Sequence, residues 1–353
     1  MAIQWCALGQ GHLRVRTATV AIEGNLKQAS DETEELRADF LRCCHTSDWT
    51  LPARWLYDHR GSELFEQITH LPEYYPTRTE LDLLREAADA LRASIGAGRM
   101  LVEFGAGSAA KTPALIKAIN PTRYVPIDVS GDYLRESSAV IMERFVDLEV
   151  TPVEADFNRA VPLPQCHRRL PIIGFFAGST IGNLEPLQAT DLLRRMGETL
   201  GKDALLLIGM DRVKPIEVLQ RAYNDSQGVT AAFNLNLLTR VNRELGVNIP
   251  VADFTHEARW NAARARIEMH LVANKDLSFS IGQERVTFTA GKSLHTENSH
   301  KYRFEEARML LRCGGWDPIQ SWSAPDDWFT LFLAKRDVLE EYFQDGDDNC
   351  VAQ

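Results

Sequence analysis

The sequence lacks the cysteine spacings, basic clusters and long apolar runs that define several common classes of protein. Its six cysteines include no C-x-x-C pair, and the C-C-H run at 43–45 matches no metal-binding pattern, so we predict reduced thiols and no metal ion. Lys and Arg total 39 against 49 Asp and Glu, and the net charge of -10 argues against nucleic acid as a partner. No run reaches the roughly 18 apolar residues of a membrane span, and no basic segment precedes a hydrophobic one at the N-terminus. We expect a cytoplasmic protein with a small-molecule ligand and no membrane partner.

The sequence does contain a regular alternation of strand-like and helix-like segments. With 353 residues, 44% of them hydrophobic, the chain can bury a large core and form two domains. Helix-length spacers separate the strand-like runs, which predicts an α/β fold with a parallel sheet and right-handed crossovers. The predicted strands are 101–104, 124–128, 150–154, 171–176 and 204–209.

This alternation is interrupted between residues 213 and 301. The interruption contains two helix-like segments and then strand-like runs, which predicts an inserted α+β unit. Its helices are predicted at 215–225 and 230–245, and its strands around 266–273, 277–282 and 286–290. A helix over 304–315 and two closing strands, 319–323 and 328–335, then return the chain to the first sheet.

A glycine turn follows the first predicted strand, in LVEFGAGSAAK at 101–111. Gly105 and Gly107 let the backbone turn sharply and let a ligand approach where no Cβ is in the way, which is typical of a nucleotide pocket. Asp128 ends the second predicted strand, where an acid can accept hydrogen bonds from ribose hydroxyls. Asp156 ends the third predicted strand and is followed by Phe157. An acid and an aromatic ring in this order suit the edge and the face of an adenine. The structural alternatives are a helix cap for Asp128 and a turn for Asp156.

The same glycine turn would also suit a dinucleotide enzyme, so the cofactor is inferred from the order of the strands. An antiparallel hairpin after five parallel strands resembles the seven-stranded S-adenosylmethionine methyltransferases, and Glu103, Gly105 and Gly107 resemble their first motif. Lys111 then lies where a cation can meet the methionine carboxylate, although a solvated helix lysine is the alternative.

Longer motifs resemble one family in particular. These are RWLYDHRGSELFEQITHLPEYYPTRTE at 54–80, EFGAGSAAKT, GSTIGN, RAYND, GVTAAFN, NRE, RIEM and TENSHK. Together they are similar to the histidine-specific methyltransferases that make the betaine hercynine, the first intermediate of ergothioneine biosynthesis, over roughly residues 50–336. The resemblance implies S-adenosylmethionine-dependent trimethylation of the α-amine of L-histidine. It also implies a Rossmann-like methyltransferase core with an inserted α+β substrate-binding domain.

Carrying the family's contacts over by position gives two sets of predicted site residues. The implied cofactor contacts are Tyr74, Gly105, Lys111, Asp128, Asp156 and Phe157. The implied substrate contacts are Tyr57, Asn183, Tyr223, Met269, Glu297 and Ser299, with Tyr57 and Asn183 nearest the chemistry. In this interpretation Tyr57 and Tyr223 donate to the amino-acid carboxylate and Asn183 holds the α-amine. Glu297 and Ser299 bond the two imidazole nitrogens.

The resemblance also implies a division of the chain. We expect a poorly ordered extension (1–27), a substrate-binding domain (28–78 and 213–301), a methyltransferase core (79–212 and 302–336) and a C-terminal tail (337–353). His295 and His300 are interpreted as surface or loop residues, and the protein as a monomer. Alternatives are an N-methyltransferase for another amino acid such as a tryptophan derivative, a non-catalytic nucleoside-binding protein and, more distantly, a dinucleotide oxidoreductase.

Overall fold

The architecture is seen in a computed structural model that describes residues 32–46, 49–163 and 170–336. The predicted extension at 1–27 and tail at 337–353 lie outside the described residues. The helices are α1 (32–45), α2 (His59–Thr69), α3 (Tyr75–Glu86), α4 (Ala88–Ile95), α5 (Thr112–Ile119), α6 (Gly131–Arg144), α7 (Pro186–Leu200), α8 (Ile216–Tyr223), α9 (Val229–Leu245) and α10 (Phe304–Cys313). The strands are β1 (Met100–Phe104), β2 (Arg123–Asp128), β3 (Glu149–Val150), β4 (Val153–Glu154), β5 (Ile172–Phe176), β6 (Leu205–Asp211), β7 (Phe254–Asn261), β8 (Arg266–Ala273), β9 (Leu277–Ile281), β10 (Glu284–Phe288), β11 (Ser293–His300), β12 (Trp316–Ser323) and β13 (Phe329–Arg336).

The main sheet has the strand order β12-β13-β6-β5-β1-β2-β3, with β4 also paired to β2. Strands β3 and β4 share one position because Pro152, which has no N–H for the ladder, separates them. The pairs from β2 through β6 are parallel, whereas β13 runs antiparallel to both β6 and β12. This is a seven-position Rossmann-like sheet that ends in a reversed hairpin, and it confirms the predicted fold class.

Helices cover both faces of this sheet, which explains why its strands are apolar throughout. Every residue of β1 and β6 is buried, as expected for strands between two helical layers. One buried cluster lies under α7 and α10, and another under α3, α4 and α5. The layered core holds the carboxyl ends of β1, β2 and β5 at one edge, where the site forms.

The interruption forms a separate antiparallel sheet, in the order β11-β8-β7, beside the β9-β10 hairpin. Its apolar face packs against α8 and α9 in a third buried cluster that also includes residues of α1 and α2. The sequence pattern predicted β8, β9 and β10 but missed β7 and β11. Strand β11 escaped detection because Leu294 is its only strongly apolar residue, although all but its first residue are buried.

The interpretation of His295 and His300 as surface or loop residues is wrong. Both lie in β11 and each is 7% exposed. His295 pairs with His270 across the strands, and their rings stack at a centroid distance of 4.8 Å. His300 stacks on Tyr302. Buried polar side chains need hydrogen-bond partners, and these rings have them: His295 Nε2 is 3.1 Å from the Glu297 carbonyl oxygen, and His300 Nε2 is 3.4 Å from the Arg266 guanidinium.

Candidate active site

A single cavity of about 830 Å³ joins the edge of the parallel sheet to strand β11. Its wall contains nine of the predicted site residues, from both the cofactor set and the substrate set. They are Tyr57, Tyr74, Gly105, Lys111, Asp128, Asp156, Phe157, Asn183 and Glu297. The other three, Tyr223, Met269 and Ser299, are buried and are not part of the cavity wall. The fold therefore brings the early strand ends and the late insert together around one space.

The glycine turn after β1 forms the floor of the cofactor side. Gly105 has φ of 68° and Gly107 has φ of 51°, in the left-handed region that favours glycine. A Cβ at Gly105 would lie 3.4 Å from the ring of Phe157, so the glycine turn and this ring are close neighbours. Asp128 accepts from the Gly107 N–H at 2.9 Å and from the Ser130 N–H at 3.0 Å. These bonds hold its carboxylate at the strand end, while burial raises its pKa.

Asp156 and Phe157 follow β4 on the same side of the cavity. The Asp156 carboxylate accepts from the backbone and side-chain N–H groups of Asn158, at 2.9 and 2.8 Å, so it does act as a turn residue. Its other oxygen is 3.8 Å from the Arg54 guanidinium. Phe157 packs edge-on against Phe176. The turn thus fixes an acid and an aromatic ring side by side at the rim.

Lys111 is paired to an acid that sequence reasoning missed. Its Nζ lies 2.6 Å from Oε2 of Glu80, a residue of α3 that is fully buried. The same oxygen accepts from the Gly178 N–H at 2.8 Å, whereas Oε1 is buried without a partner. Glu80 closes the LPEYYPTRTE motif, and that motif was the signal available in the sequence. Lys111 is therefore a largely buried, paired cation in the cavity wall and not a solvated helix lysine, while its contact with a methionine carboxylate stays a prediction.

Glu103 is buried at the end of β1, behind the glycine turn. It accepts hydrogen bonds from the Thr112 hydroxyl at 2.7 Å and from the Tyr124 hydroxyl. Burial nevertheless raises the pKa of Glu103 to about 7. Its carboxyl lines the same cavity.

Glu297 is the centre of the substrate side. The Tyr57 hydroxyl and the Asn183 amide each donate to its Oε1, both at 3.1 Å. Burial raises the pKa of Glu297 to about 7, against the lowering effect of the Tyr57 hydrogen bond and of Lys301. These partners are 240 and 114 residues away in the chain, so only the tertiary fold unites them.

Two local features place Glu297 beside Asn183. A β-bulge between His295 and Glu297 adds one residue to β11, so these two side chains lie on opposite faces of the sheet. Glu297 pairs in register with Met269 and so shares its face. On the other side, a Cβ at Gly182 would lie 2.9 Å from the His300 carbonyl oxygen. The glycine allows the short helix Thr180–Asn183 to approach the backbone of β11.

Tyr223 and Ser299 contact each other in the buried region outside the cavity wall. Their hydroxyl oxygens are 2.6 Å apart, and Lys301 contacts both. The predicted donation from Tyr223 to a substrate carboxylate stays a prediction. Sequence reasoning missed Lys301, although this residue closes the TENSHK motif. It also missed Asp211 and Lys214, because lone charged residues carry no recognisable motif.

One group of metal-capable side chains lies beside the site. Ligand atoms of Glu268, His270 and His295 lie within 4.8 Å of one another. The two rings stack face to face instead of converging, and Arg266 already binds Glu268 at 2.7 Å. This arrangement does not resemble a tetrahedral or octahedral ligand set. The absence of a metal stays a prediction.

Comparison with known proteins identifies the family. The model of the histidine-specific, S-adenosylmethionine-dependent methyltransferases matches residues 36–336. The chain belongs to this family. It is therefore an S-adenosylmethionine-dependent methyltransferase, which confirms the predicted enzyme class and methyl donor.

The relatives agree with this assignment. Histidine N-alpha-methyltransferases of Mycolicibacterium smegmatis and Mycobacterium tuberculosis are each 39% identical to this chain. The alignments cover 88% and 85% of this chain, and 98% and 95% of theirs. Ergothioneine biosynthesis protein 1 of Neurospora crassa is 27% identical over 81% of this chain, which spans 33% of that longer protein. Among the described residues, no helix has the length and apolar character that a membrane span requires.

Proposed function

We propose that this methyltransferase converts L-histidine to hercynine by three successive transfers to the α-amine, as the first step of ergothioneine biosynthesis. The observation that carries the proposal is the position of Glu297. Its buried carboxylate can accept a hydrogen bond from an imidazole N–H, and it shares one cavity with the glycine turn and with Asp128. Tyr57 and Asn183 lie between the two halves, in hydrogen-bond contact with Glu297.

The cofactor side fits S-adenosylmethionine through several independent features. Phe157 offers an aromatic ring in the cavity wall for adenine, and Asp128 offers carboxylate lone pairs to ribose hydroxyls. Lys111 offers a cation to the methionine carboxylate, steadied by Glu80. When bound, the cofactor supplies an electrophilic sulfonium methyl group. Gly105 and Tyr74 complete the proposed cofactor contacts.

On the substrate side we assign the imidazole to Glu297 and Ser299, with Met269 packed beside the ring. A bound histidine takes over the hydrogen bonds that Tyr57 and Asn183 now make to Glu297. Tyr57 then donates to the substrate carboxylate and Asn183 accepts from the α-amine, which keeps the amine lone pair directed at the methyl group. A site that bonds a substrate N–H rejects analogues without one, since its own buried group would go unpaired.

The protein contributes to the reaction chiefly by positioning the two reactants. An ammonium has no lone pair, so one proton leaves to solvent before each transfer; the new C–N bond then forms as the C–S bond breaks. Holding two reactants in line is worth roughly 7 to 11 kcal/mol. The growing cation stays close to the rings of Tyr57, Phe65 and Tyr74, which line the cavity and attract positive charge.

We also propose the division into a substrate-binding domain (28–78 and 213–301) and a core (79–212 and 302–336). The buried clusters support it: one unites apolar residues at 36–75 with others at 219–294, and the other two lie in the layers of the main sheet. A monomer in the cytoplasm, with histidine and no nucleic acid as partner, completes the proposal.

The direct test is a substrate screen. Purified protein is incubated with S-adenosylmethionine and each of the twenty amino acids, and mass spectrometry scores the addition of one, two and three methyl groups. We expect three additions to histidine and none to the others. Comparable turnover of tryptophan and histidine would overturn the substrate assignment. Cofactor binding by calorimetry with no turnover of any amino acid would instead indicate a non-catalytic binding protein.

A further inference from the structure

A buried charged network lies directly behind the proposed imidazole site. Lys301 is 2% exposed, and its Nζ lies 2.8 Å from Asp211 Oδ2, 2.7 Å from Ser299 Oγ and 3.0 Å from the Tyr223 hydroxyl. An ammonium has three hydrogens and no lone pair, so these three contacts use its whole hydrogen-bonding capacity. Lys301 therefore donates to both hydroxyls that close the site.

The network carries more positive than negative charge. Asp211 also accepts from Lys214 and from the Tyr75 hydroxyl, the latter at 2.6 Å. Two buried lysines therefore share one buried aspartate. The nearest further acid toward the cavity is Glu297, whose carboxylate Lys301 stabilises. The groups that face Lys301 from neighbouring elements are Tyr74, Tyr75, Asp211, Lys214, Tyr223, Glu297, Ser299 and His300.

Counting lone pairs shows what Ser299 can offer a ligand. Its oxygen accepts one bond from Lys301 and lies 2.6 Å from the Tyr223 hydroxyl. A phenol is the better donor, because it is far more acidic than an alkyl alcohol, so Tyr223 donates to Ser299. Both lone pairs of Ser299 are then filled, and its own hydrogen is all that remains for a ligand. A ring nitrogen bound here must be an acceptor.

We infer that Lys301 is a specificity-determining positioning residue, which makes the site accept a neutral imidazole and reject an imidazolium. A neutral ring donates its N–H to Glu297 and accepts a hydrogen bond from the Ser299 hydroxyl at its other nitrogen. An imidazolium has a second N–H, which would face a hydroxyl oxygen with no free lone pair and the positive charge of Lys301 behind it. The inference rests on the proposed use of histidine as substrate. It extends the substrate class to five-membered rings with one N–H donor and one nitrogen acceptor in this arrangement.

The test compares L-histidine with 1,2,4-triazolyl-alanine, whose ring stays neutral across the assay range. The ratio of kcat/KM values, histidine over analogue, cancels the titration of the α-amine and of Glu297, since both substrates share them. Between pH 7.5 and 5.5 the ratio should fall about tenfold in the natural protein, because imidazole protonates near pH 6.5. In Lys301→Met the fall should shrink to less than about threefold. Tyr223→Phe, which frees the other lone pair of Ser299 and keeps the lysine, should shrink it likewise.

The controls separate positioning from folding. Lys335→Met removes an exposed lysine of β13 and should leave the tenfold fall intact. A constant ratio in the natural protein, or an unchanged tenfold fall in Lys301→Met, would overturn the inference. So would equal losses on both substrates at every pH, which would indicate a purely structural lysine. If Lys301→Met does not fold, the ratio in the natural protein and in Tyr223→Phe still decides. Absence of histidine turnover in the natural protein at any pH would instead refute the proposed function.

Discussion

The cofactor side and the substrate side of the cavity hold their carboxylates in different ways. Asp128 is fixed by two backbone N–H groups, from residues 21 positions before it and two after it. Glu297 is fixed by side chains from two distant segments, and a buried lysine lies behind it. Backbone groups are present whatever the side chains are, whereas each side-chain partner must be specified. We conclude that the anchoring of Asp128 is a property of the fold, whereas the anchoring of Glu297 is a property of particular residues.

The largest expected effect comes from removing the acid on the substrate side. Glu297→Ala should lower kcat/KM for histidine by at least about 100-fold, since a bound N–H would lose a charged acceptor in a buried site. Cofactor affinity by calorimetry should stay within about twofold, because the cofactor contacts come from other elements. Glu257→Ala, which removes an exposed glutamate of β7, is the matched control. Loss of both affinities would indicate a folding role for Glu297.

The reciprocal change is on the cofactor side. Asp128→Asn should weaken S-adenosylmethionine binding by about 10- to 100-fold, the value of a charge-assisted hydrogen bond. The KM for histidine at saturating cofactor should change little. Asp132→Asn, at an exposed position in the first turn of α6, should leave both unchanged. An equal rise in the two constants would remove the distinction between the two sides.

A third variant tests the contact between the helix Thr180–Asn183 and strand β11. The added Cβ of Gly182→Ala would meet backbone atoms of His300 at 2.9 and 3.1 Å, and backbone cannot rotate away. We expect the KM for histidine to rise about tenfold, with a loss of about 1 to 3 kcal/mol in the free energy of unfolding. Gly246→Ala is the control, since Gly246 has φ of 64° and open space around it. It should cost about 1 kcal/mol of stability and leave the KM unchanged.

The smallest expected effect is on stability. Burial raises the pKa of Glu297 from 4.5 to about 7, so the folded state binds the proton more tightly than the unfolded state. The cost of the buried charge is fully present above the folded pKa and is lost as pH falls through the unfolded pKa. Glu297→Gln should therefore stabilise the fold by on the order of 1 to 2 kcal/mol at pH 8. Thermal melts should show the gain disappearing near pH 4.5. A variant less stable than the natural protein at pH 8 would contradict this account.

The sequence predicts the surroundings of Asp128 better than it predicts the surroundings of Glu297. The glycine turn and Asp128 belong to short, local patterns with apolar strands before them, and the structure confirms those strands to within about two residues. Strand β11 has no such pattern, because polar residues fill both of its faces and its bulge breaks the alternation. Family resemblance predicted Glu297 and Ser299 as substrate contacts, yet it gave no sign that Glu80 pairs with Lys111 or that Lys301 contacts Ser299. Those contacts depend on side-chain geometry between elements, which composition and spacing do not encode.

The close approach of Gly182 to His300 also limits the routes by which substrate can enter and product can leave the enzyme. The backbones of the two segments are in contact there. Nearby, the Val213 N–H donates to the Tyr302 carbonyl and the Tyr302 N–H donates to the Asp211 carbonyl, so backbone hydrogen bonds extend the contact. A wall joined in this way cannot swing outward without breaking backbone hydrogen bonds. We therefore expect substrate to enter and product to leave past another part of the cavity wall, which includes Asp39, Arg42 and Arg54.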